Sequence, residues 1–414
     1  MNDFYDALEV RDPAVREREL LAALSGQLLH AQTAAPAFAE ILAGVDCSAV
    51  TSREALTHLP VTRKSELLVR QKALRTSDPF GGFSAVSRGV GMPRVYASPG
   101  TIYEPEGVAH DYWRTARALH AAGFRRGDLV HNSFSYHLTP AGSILESGAH
   151  ALGCTVFPGG TGQTEQQVEA MSELQPDGYV GTPSFLRILL EKAAATNVAL
   201  PRLVRALLSG EAFPPSLRDW LAGRGVQGMQ CYATADIGLI AYETSAREGL
   251  VLDEGVLLEI VRPGTGDVLP DGEVGEVVVT TFNRDYPLVR FGTGDLSAVL
   301  PGSCPTGRTN TRIRGWLGRA DQTTKVRGMF VHPSQIATVL RRFPTIARAR
   351  LVVEGEMADD RMTLHVEGAA DDAGAQRIAD AVREITKLRC AVARVPVDSL
   401  PNDGKVIEDA RSYK

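Results

Sequence analysis

The stretch YASPGTIYEPEG, residues 96–107, joins small and hydroxyl residues, the usual material of a phosphate-cradling loop, to two glutamates that should repel phosphate. Proline is favoured in the first turn of a helix, so a helix is expected to begin near Pro105. Glu104 and Glu106 would then sit at its positive end and point away, leaving Ser98, Gly100 and Thr101 as the cradle. Further on, SGEAF (209–213) and CYATADIG (231–238) each fall at the carboxyl end of an expected strand, where open α/β sheets bind ligands. Each also reads as a plain turn. PLVRFGTGDLS (287–297) carries Asp295, a carboxylate able to accept from a ribose diol; the structural alternative is an Asx turn. Lys405 lies in a Gly-Asp loop near the end, where a lone lysine is ordinarily a solvated charge. GGTGQT (159–164) lacks the lysine and spacing of a P-loop and reads as a strand-to-helix turn. The sequence has no G-x-S-x-G elbow, H-E-x-x-H or EF-hand loop, so hydrolase, zincin and calcium readings have no support.

The elements that must position these residues follow from periodicity. AVRERELLAALSGQLLHAQ has apolar residues at helical spacing. From residue 106 to 232 helix and strand alternate: helix EPEGVAHDYWRTARALHAAG, strand DLVHNSF, helix GSILESGAHALG, strand CTVFP. A capping box of Thr164 and Gln167 is expected to open the helix TEQQVEAMSELQ. Strand GYVGTP, helix SFLRILLEKAAA, strand LVRALLSG, helix PPSLRDWLAGRG and strand VQGMQCY follow. This alternation predicts an α/β fold with a mostly parallel sheet. After residue 250 helical patterns stop, and two strand runs around PGTGD suggest a β subdomain. The final ninety or so residues read helix, strand, strand, helix, strand, a small α+β domain. The change of pattern puts the domain boundary near 318–322, giving domains 1–320 and 321–414.

The whole chain of 414 residues is 44% apolar and 22% charged with a formal charge of −5, ordinary for a globular protein of two domains. No run of lysine and arginine with interleaved aromatics marks a nucleic-acid face, so small molecules are the expected partners. The start, MNDFYDALEVRD, lacks a signal peptide's basic and apolar regions, and no stretch approaches the roughly 18 apolar residues of a membrane span. A cytoplasmic protein without membrane or nucleic-acid partners is expected. Five scattered cysteines without C-x-x-C suggest buried apolar residues rather than disulfides or zinc.

Four longer stretches, in this order, resemble the adenylate-forming superfamily and within it the phenylacetate-CoA ligase family: HNSFSYHLTPAG (131–142), GGTGQTEQQVEAMSELQPDGYVGTPSFL (159–186), GEVGEVVVTTFNRDYPLVRFGTGDL (272–296) and GRADQTTKVRGMFVHPSQI (318–336). The resemblance implies a large AMP-binding adenylation domain and a small mobile domain carrying the catalytic lysine, Lys405. It implies ATP, Mg²⁺ and coenzyme A as cofactors. Ser98, Gly100 and Thr101 would be the phosphate loop, Glu211 and Tyr232 would border adenine, and Asp236 would help hold Mg²⁺. Asp295 would bind the ribose with Arg319 in support. Asp321 would be the hinge, and Gly328 would lie in the loop lining the thiol tunnel. Phe134, Tyr136 and His137 would line an aromatic-acid pocket.

The resemblance thus implies an AMP-forming acid–thiol ligase: a carboxylate attacks the α-phosphorus of ATP, and a thiol then displaces AMP from the acyl-adenylate. An enzyme loading a carrier protein or forming an amide, and a degenerate protein that binds nucleotide or acyl-AMP without turnover, are the alternatives. A homodimer is left open. Three departures stand out. The family usually has glutamate at the position of Asp236, its phosphate loop usually carries a lysine and a Thr/Ser-Gly-Thr-Thr-Gly run, and the Cys/His cluster of some members is missing, so no zinc is expected.

Overall fold

The computed structural model describes residues 3–320, 324–327, 329–331, 333–355, 360–368, 372–397, 399–401 and 406–411. The chain divides into two compact units, Met1–Leu317 and Gly318–Lys414.

The first unit opens with α1 (Pro13–Ala34), which starts where Asp12 accepts hydrogen bonds from the amides of Ala14 and Val15 and Pro13 fills the first position. Leu20, Leu24, Leu28 and Ala31 form its buried stripe. Short helices α2 (Pro36–Ile41) and α3 (Arg53–Thr57) lead to β1 (Thr62–Arg63) and α4 (Lys64–Leu74). The Glu66 carboxylate accepts from the Arg63 amide, which fixes the start of α4 at Lys64.

Next comes a hairpin of β2 (Arg94–Ser98) and β3 (Ile102–Glu106), pairing Ser98 with Ile102 and Arg94 with Glu106. Its three-residue turn needs left-handed backbone at Gly100 (φ 100°) and Thr101 (φ 61°). The helix expected from Pro105 is therefore not formed; only α5 (Ala116–Ala121) is helical in that segment. Pro105 is tolerated because a two-stranded hairpin leaves it on an edge. The reason for a strand is chemical: Glu104 and Glu106, 0% and 5% exposed, find partners within the fold that an exposed helix start would not supply.

A nine-stranded sheet carries the middle of the unit. Strands β4 (Leu129–Asn132), β5 (Thr155–Pro158), β6 (Gly178–Gly181), β7 (Arg205–Leu208) and β8 (Gln227–Thr234) run parallel in the order β5-β4-β6-β7-β8. Helices α6 (Ala141–Leu152), α7 (Thr164–Leu174), α8 (Pro183–Ala195) and α9 (Pro215–Ala222) make the crossovers that parallel neighbours require. Beyond β8 the sheet turns antiparallel through β9 (Gly238–Glu243) and β10 (Leu250–Leu252), since the short link between β8 and β9 leaves room only for a hairpin. A second sheet pairs β1 with β13 (Phe291–Ser297), then β12 (Gly275–Thr281) and β11 (Val256–Val261). It is the β subdomain expected after residue 250, and β14 (Val299–Leu300) and β15 (Arg312–Ile313) extend the larger sheet. No helix among the described residues is long and apolar enough to cross a membrane.

The second unit is an α+β sandwich. Its four strands run in the order Ala391–Val395, Arg361–Gly368, Ile346–Glu354, Ile407–Asp409, beside helices Pro333–Arg342 and Asp372–Thr386. Leu351, Val353, Leu364, Ile378 and Val382 lie in its core. A ribbon pairs Thr324–Val326 with Met329–Val331. Arg319 belongs to this unit; Asp321, Gly328 and Lys405 lie outside the described residues.

Candidate active site

Three groups of side chains in the first unit gather most of the residues expected to act. The first joins the two sheets. The Tyr232 hydroxyl, on β8, donates to Asp295 Oδ2 on β13 at 2.8 Å and lies 3.1 Å from Thr293 Oγ1, while Trp316 Nε1 donates to Asp295 Oδ1 at 3.0 Å. Asp295 is therefore a positioned carboxylate, held through both oxygens, and Trp316 is a partner the sequence did not suggest. Glu211, just after β7, accepts from the Ser184 hydroxyl at the start of α8.

The second group surrounds the hairpin turn. Glu104 accepts from both the hydroxyl and the amide of Ser98. The Ser98 hydroxyl thus points to a carboxylate of its own hairpin, opposite to the free cradle expected of it. Lys64 Nζ donates to Asp236 Oδ2 at 2.7 Å, bringing the first residue of α4 to the loop between β8 and β9. Burial, and then the charge of Asp236, push the Glu104 carboxyl up to about 8, against opposing effects from Lys64 and Ser98. The Tyr286 phenol is raised by burial and by the charges of Glu104 and Asp236. Asp236 Oδ1 and the Tyr286 hydroxyl are both buried without a hydrogen-bond partner. An orphaned, acceptor-only oxygen fits a cation, so Asp236 suits the role the resemblance gives it. Glu106 is satisfied differently: it accepts from Arg94, the Tyr96 hydroxyl and Trp113 Nε1, at 2.8, 2.9 and 2.8 Å, and braces the hairpin.

The third group lies after β4. Tyr136 donates to Glu146 Oε2 at 2.6 Å and accepts from Asn132 Nδ2 at 2.8 Å. Its ring lies so close over Gly142 that a Cβ there would come within 2.8 Å of it, so only glycine fits. Phe134 is buried in the core around α5 and α6, whereas His137 is exposed. Beneath them His131 stacks between Phe157 and Tyr179, its cross-strand neighbours, at ring separations of 5.1 and 6.3 Å. Its Nε2 lies 2.7 Å from Gln167 Oε1, and the Gln167 amide donates to the carbonyls of Gly160 and Gly162. The Thr164–Gln167 capping box is therefore absent: Gln167 turns inward to satisfy a buried polar cluster instead of reaching back along the helix. Burial lowers the His131 pKa, opposed by Gln167.

Sequence reasoning passed over Lys64, Tyr286 and His131, and took Glu104 for a surface cap. No motif marks them, because their partners come from distant elements. All five cysteines are free, with only Cys390 short of full burial. Among the described residues no group of three or more histidine, cysteine or acidic side chains could hold a metal.

The AMP-binding enzyme family matches residues 136–283. The phenylacetate-coenzyme A ligase of Thermus thermophilus is 34% identical over 341 residues, spanning 78% of this chain and 75% of that protein. The phenylacetate-coenzyme A ligase of Pseudomonas putida is 31% identical over 401 residues, 90% of this chain and 88% of that one. Among solved structures, 2-hydroxyisobutyryl-CoA ligase shares the fold with a TM-score of 0.82 at 24% identity, covering 100% of this chain and 93% of that one. The same AMP-binding architecture, carried with this degree of identity along most of the sequence, makes the chain a member of the phenylacetate-coenzyme A ligase family.

Proposed function

We propose that this protein activates an aromatic carboxylic acid with ATP to an acyl-adenylate and transfers the acyl group to coenzyme A. The observation that carries the reading is family membership over nine-tenths of the chain. In the first step a carboxylate oxygen bonds to the α-phosphorus and pyrophosphate leaves; in the second a thiol sulfur bonds to the acyl carbon and AMP leaves. Both steps build negative charge on oxygen, so fixed donors and cations do the catalysis and no nucleophilic side chain is required.

The residues divide the work. Asp295, fixed by Tyr232 and Trp316, accepts from the ribose hydroxyls, and Glu211 lies on the adenine side. The hairpin turn offers the Gly100 amide to the phosphates, the Thr101 amide being held by the Ser98 carbonyl. Asp236 holds Mg²⁺, which when bound offsets phosphate charge. Lys405 assists adenylation, Asp321 serves as the hinge and Gly328 borders the thiol path. Phe134 and Tyr136 give the acid a flat apolar wall. A pyrophosphate-release screen across benzoates, aminobenzoates and arylacetates, with and without coenzyme A, tests this reading. Release that needs an aromatic acid, with thioester formed only when coenzyme A is present, supports it. Acyl-AMP that accumulates despite coenzyme A points to a carrier protein or an amine as acceptor. No release with any acid points to a protein that binds without turnover.

A further inference from the structure

Trp113 and Arg114, just before α5, touch both the hairpin and the loop that links β8 to β9. The Trp113 indole donates to Glu106 on β3 at 2.8 Å, while its carbonyl accepts from the Leu239 amide at 3.0 Å. The Arg114 guanidinium reaches the loop itself: one terminal nitrogen donates to the carbonyl of Ile237 at 2.7 Å and to that of Leu239 at 3.1 Å. These carbonyls flank Gly238, where a Cβ would come within 2.9 Å of the Trp113 carbonyl oxygen, so the loop lies directly on this dipeptide. The clamp is anchored from behind. Arg114 Nε donates to Asp253 Oδ1 at 2.9 Å, and Asp253, wholly buried, takes Arg117 on its other oxygen at 3.0 Å. Arg114 itself adopts left-handed backbone, φ 63°, a conformation uncommon outside glycine that persists where surrounding contacts demand it.

We propose that Arg114 is a positioning residue for the adenylation step: by holding the carbonyls of Ile237 and Leu239 it fixes the loop on which Asp236 stands, and with Trp113 it ties that loop to the phosphate hairpin. The inference rests on the ATP-dependent reading above, in which both elements serve the nucleotide. The link between β8 and β9 is only Ala235–Ile237, so grips at its ends set where Asp236 stands. Lys64 holds the Asp236 carboxylate at 2.7 Å, and Arg114 holds the backbone that follows it. A misplacement of about 1 Å in a group that serves the reacting atoms costs on the order of a hundredfold in rate, which makes such a grip worth its strained backbone. A guanidinium suits the task because its planar fork donates to several acceptors at once. Removing it leaves Asp253 still paired with Arg117 and the Gly255 amide, so no buried charge is stranded.

The experiment titrates the full chain with ATP by calorimetry, in Mg²⁺ and in EDTA, without acid or coenzyme A, and follows amide hydrogen exchange. Arg114→Met should bind ATP roughly tenfold more weakly than the parent in Mg²⁺ and within about threefold of it in EDTA, because the displaced loop carries the metal-binding acid. Exchange should rise at residues 235–239 while β6 and β7 keep the parent's protection. Arg114→Lys, which retains a charge beside Asp253, should show the same split at smaller size and carries the test if Arg114→Met does not fold. Equal weakening with and without Mg²⁺, unchanged affinity in both, or exchange raised across the whole sheet would each overturn the proposal, since none of them singles out the loop. These outcomes are separate from the acyl-CoA assay: a parent that binds ATP with Mg²⁺ but forms no acyl-AMP loses the proposed function and keeps the positioning, whereas a parent that binds no ATP loses both.

Discussion

The Asp295 group and the Glu104 group each set carboxylates in the same unit, yet one is satisfied and the other is not. Asp295 accepts from a phenol and an indole through separate oxygens, and both donors orient it. Glu104 feels the charge of Asp236, which pairs with Lys64, and Asp236 Oδ1 and the Tyr286 hydroxyl are buried without partners. The contrast teaches that burial alone does not define a site. A carboxylate held by a phenol and an indole is oriented for a diol, whereas burial beside a second acid keeps Glu104 protonated to about pH 8.

The largest break in that comparison should come from Asp295→Ala. Losing two hydrogen bonds to a charged acceptor, at about 1.5 kcal/mol each, predicts a fall of roughly a hundredfold in kcat/KM for ATP. Tyr232→Phe should cost roughly tenfold, since Trp316 still holds the acid. Steady-state kinetics with varied ATP measures both, and an Asp295→Ala enzyme with near-normal kcat/KM would remove the ribose role.

A second contrast is in pH. The folded Glu104 carboxyl, at about 8, binds its proton more tightly than the unfolded chain, whose value is near 4.5. Its contribution to stability is present below pH 4.5 and is lost as pH rises to about 8. In metal-free melts Glu104→Gln should therefore gain on the parent progressively from pH 4.5 to 8, with the gap level above that. His131 works in the opposite direction: its lowered value means the unfolded chain takes up the proton first, so its contribution is lost as pH falls below about 6.5. His131→Gln should flatten the acid limb of the stability profile, and an unaltered limb would assign acid sensitivity elsewhere.

A smaller effect concerns the acid. Tyr136→Phe removes the bonds to Glu146 and Asn132 while keeping the ring, so the ranking of aromatic acids should shift by a few-fold with KM for ATP unmoved. Competition assays between pairs of acids measure it. The smallest is Tyr286→Phe, which deletes an orphaned hydroxyl and should stabilise the metal-free protein by about 1 kcal/mol in denaturant melts. Destabilisation would mean that the hydroxyl is satisfied in solution.

Alternating periodicity from residue 106 to 232 foretold the strands and crossover helices of the large sheet, because burying an apolar face at spacing 2 or 3.6 is a local property of the chain. Tyr232 stood out because strand ends in such a sheet face ligands, and Asp295 because a carboxylate follows a small-residue turn there. The sequence could not tell whether Pro105 begins a helix or lies on a strand, nor whether Gln167 caps a helix or turns inward. In each case the deciding partner comes from elsewhere in the fold: Ser98 and Trp113 for the two glutamates, His131 for Gln167. Lys64 is separated from Asp236 by 172 positions, and only the packing of α4 against the sheets makes a pair of them. Local patterns determined which segments are strands and helices; the charge balance at the phosphate turn was decided by tertiary structure, because electrostatic interaction depends on distance and burial, and neither is written in sequence separation.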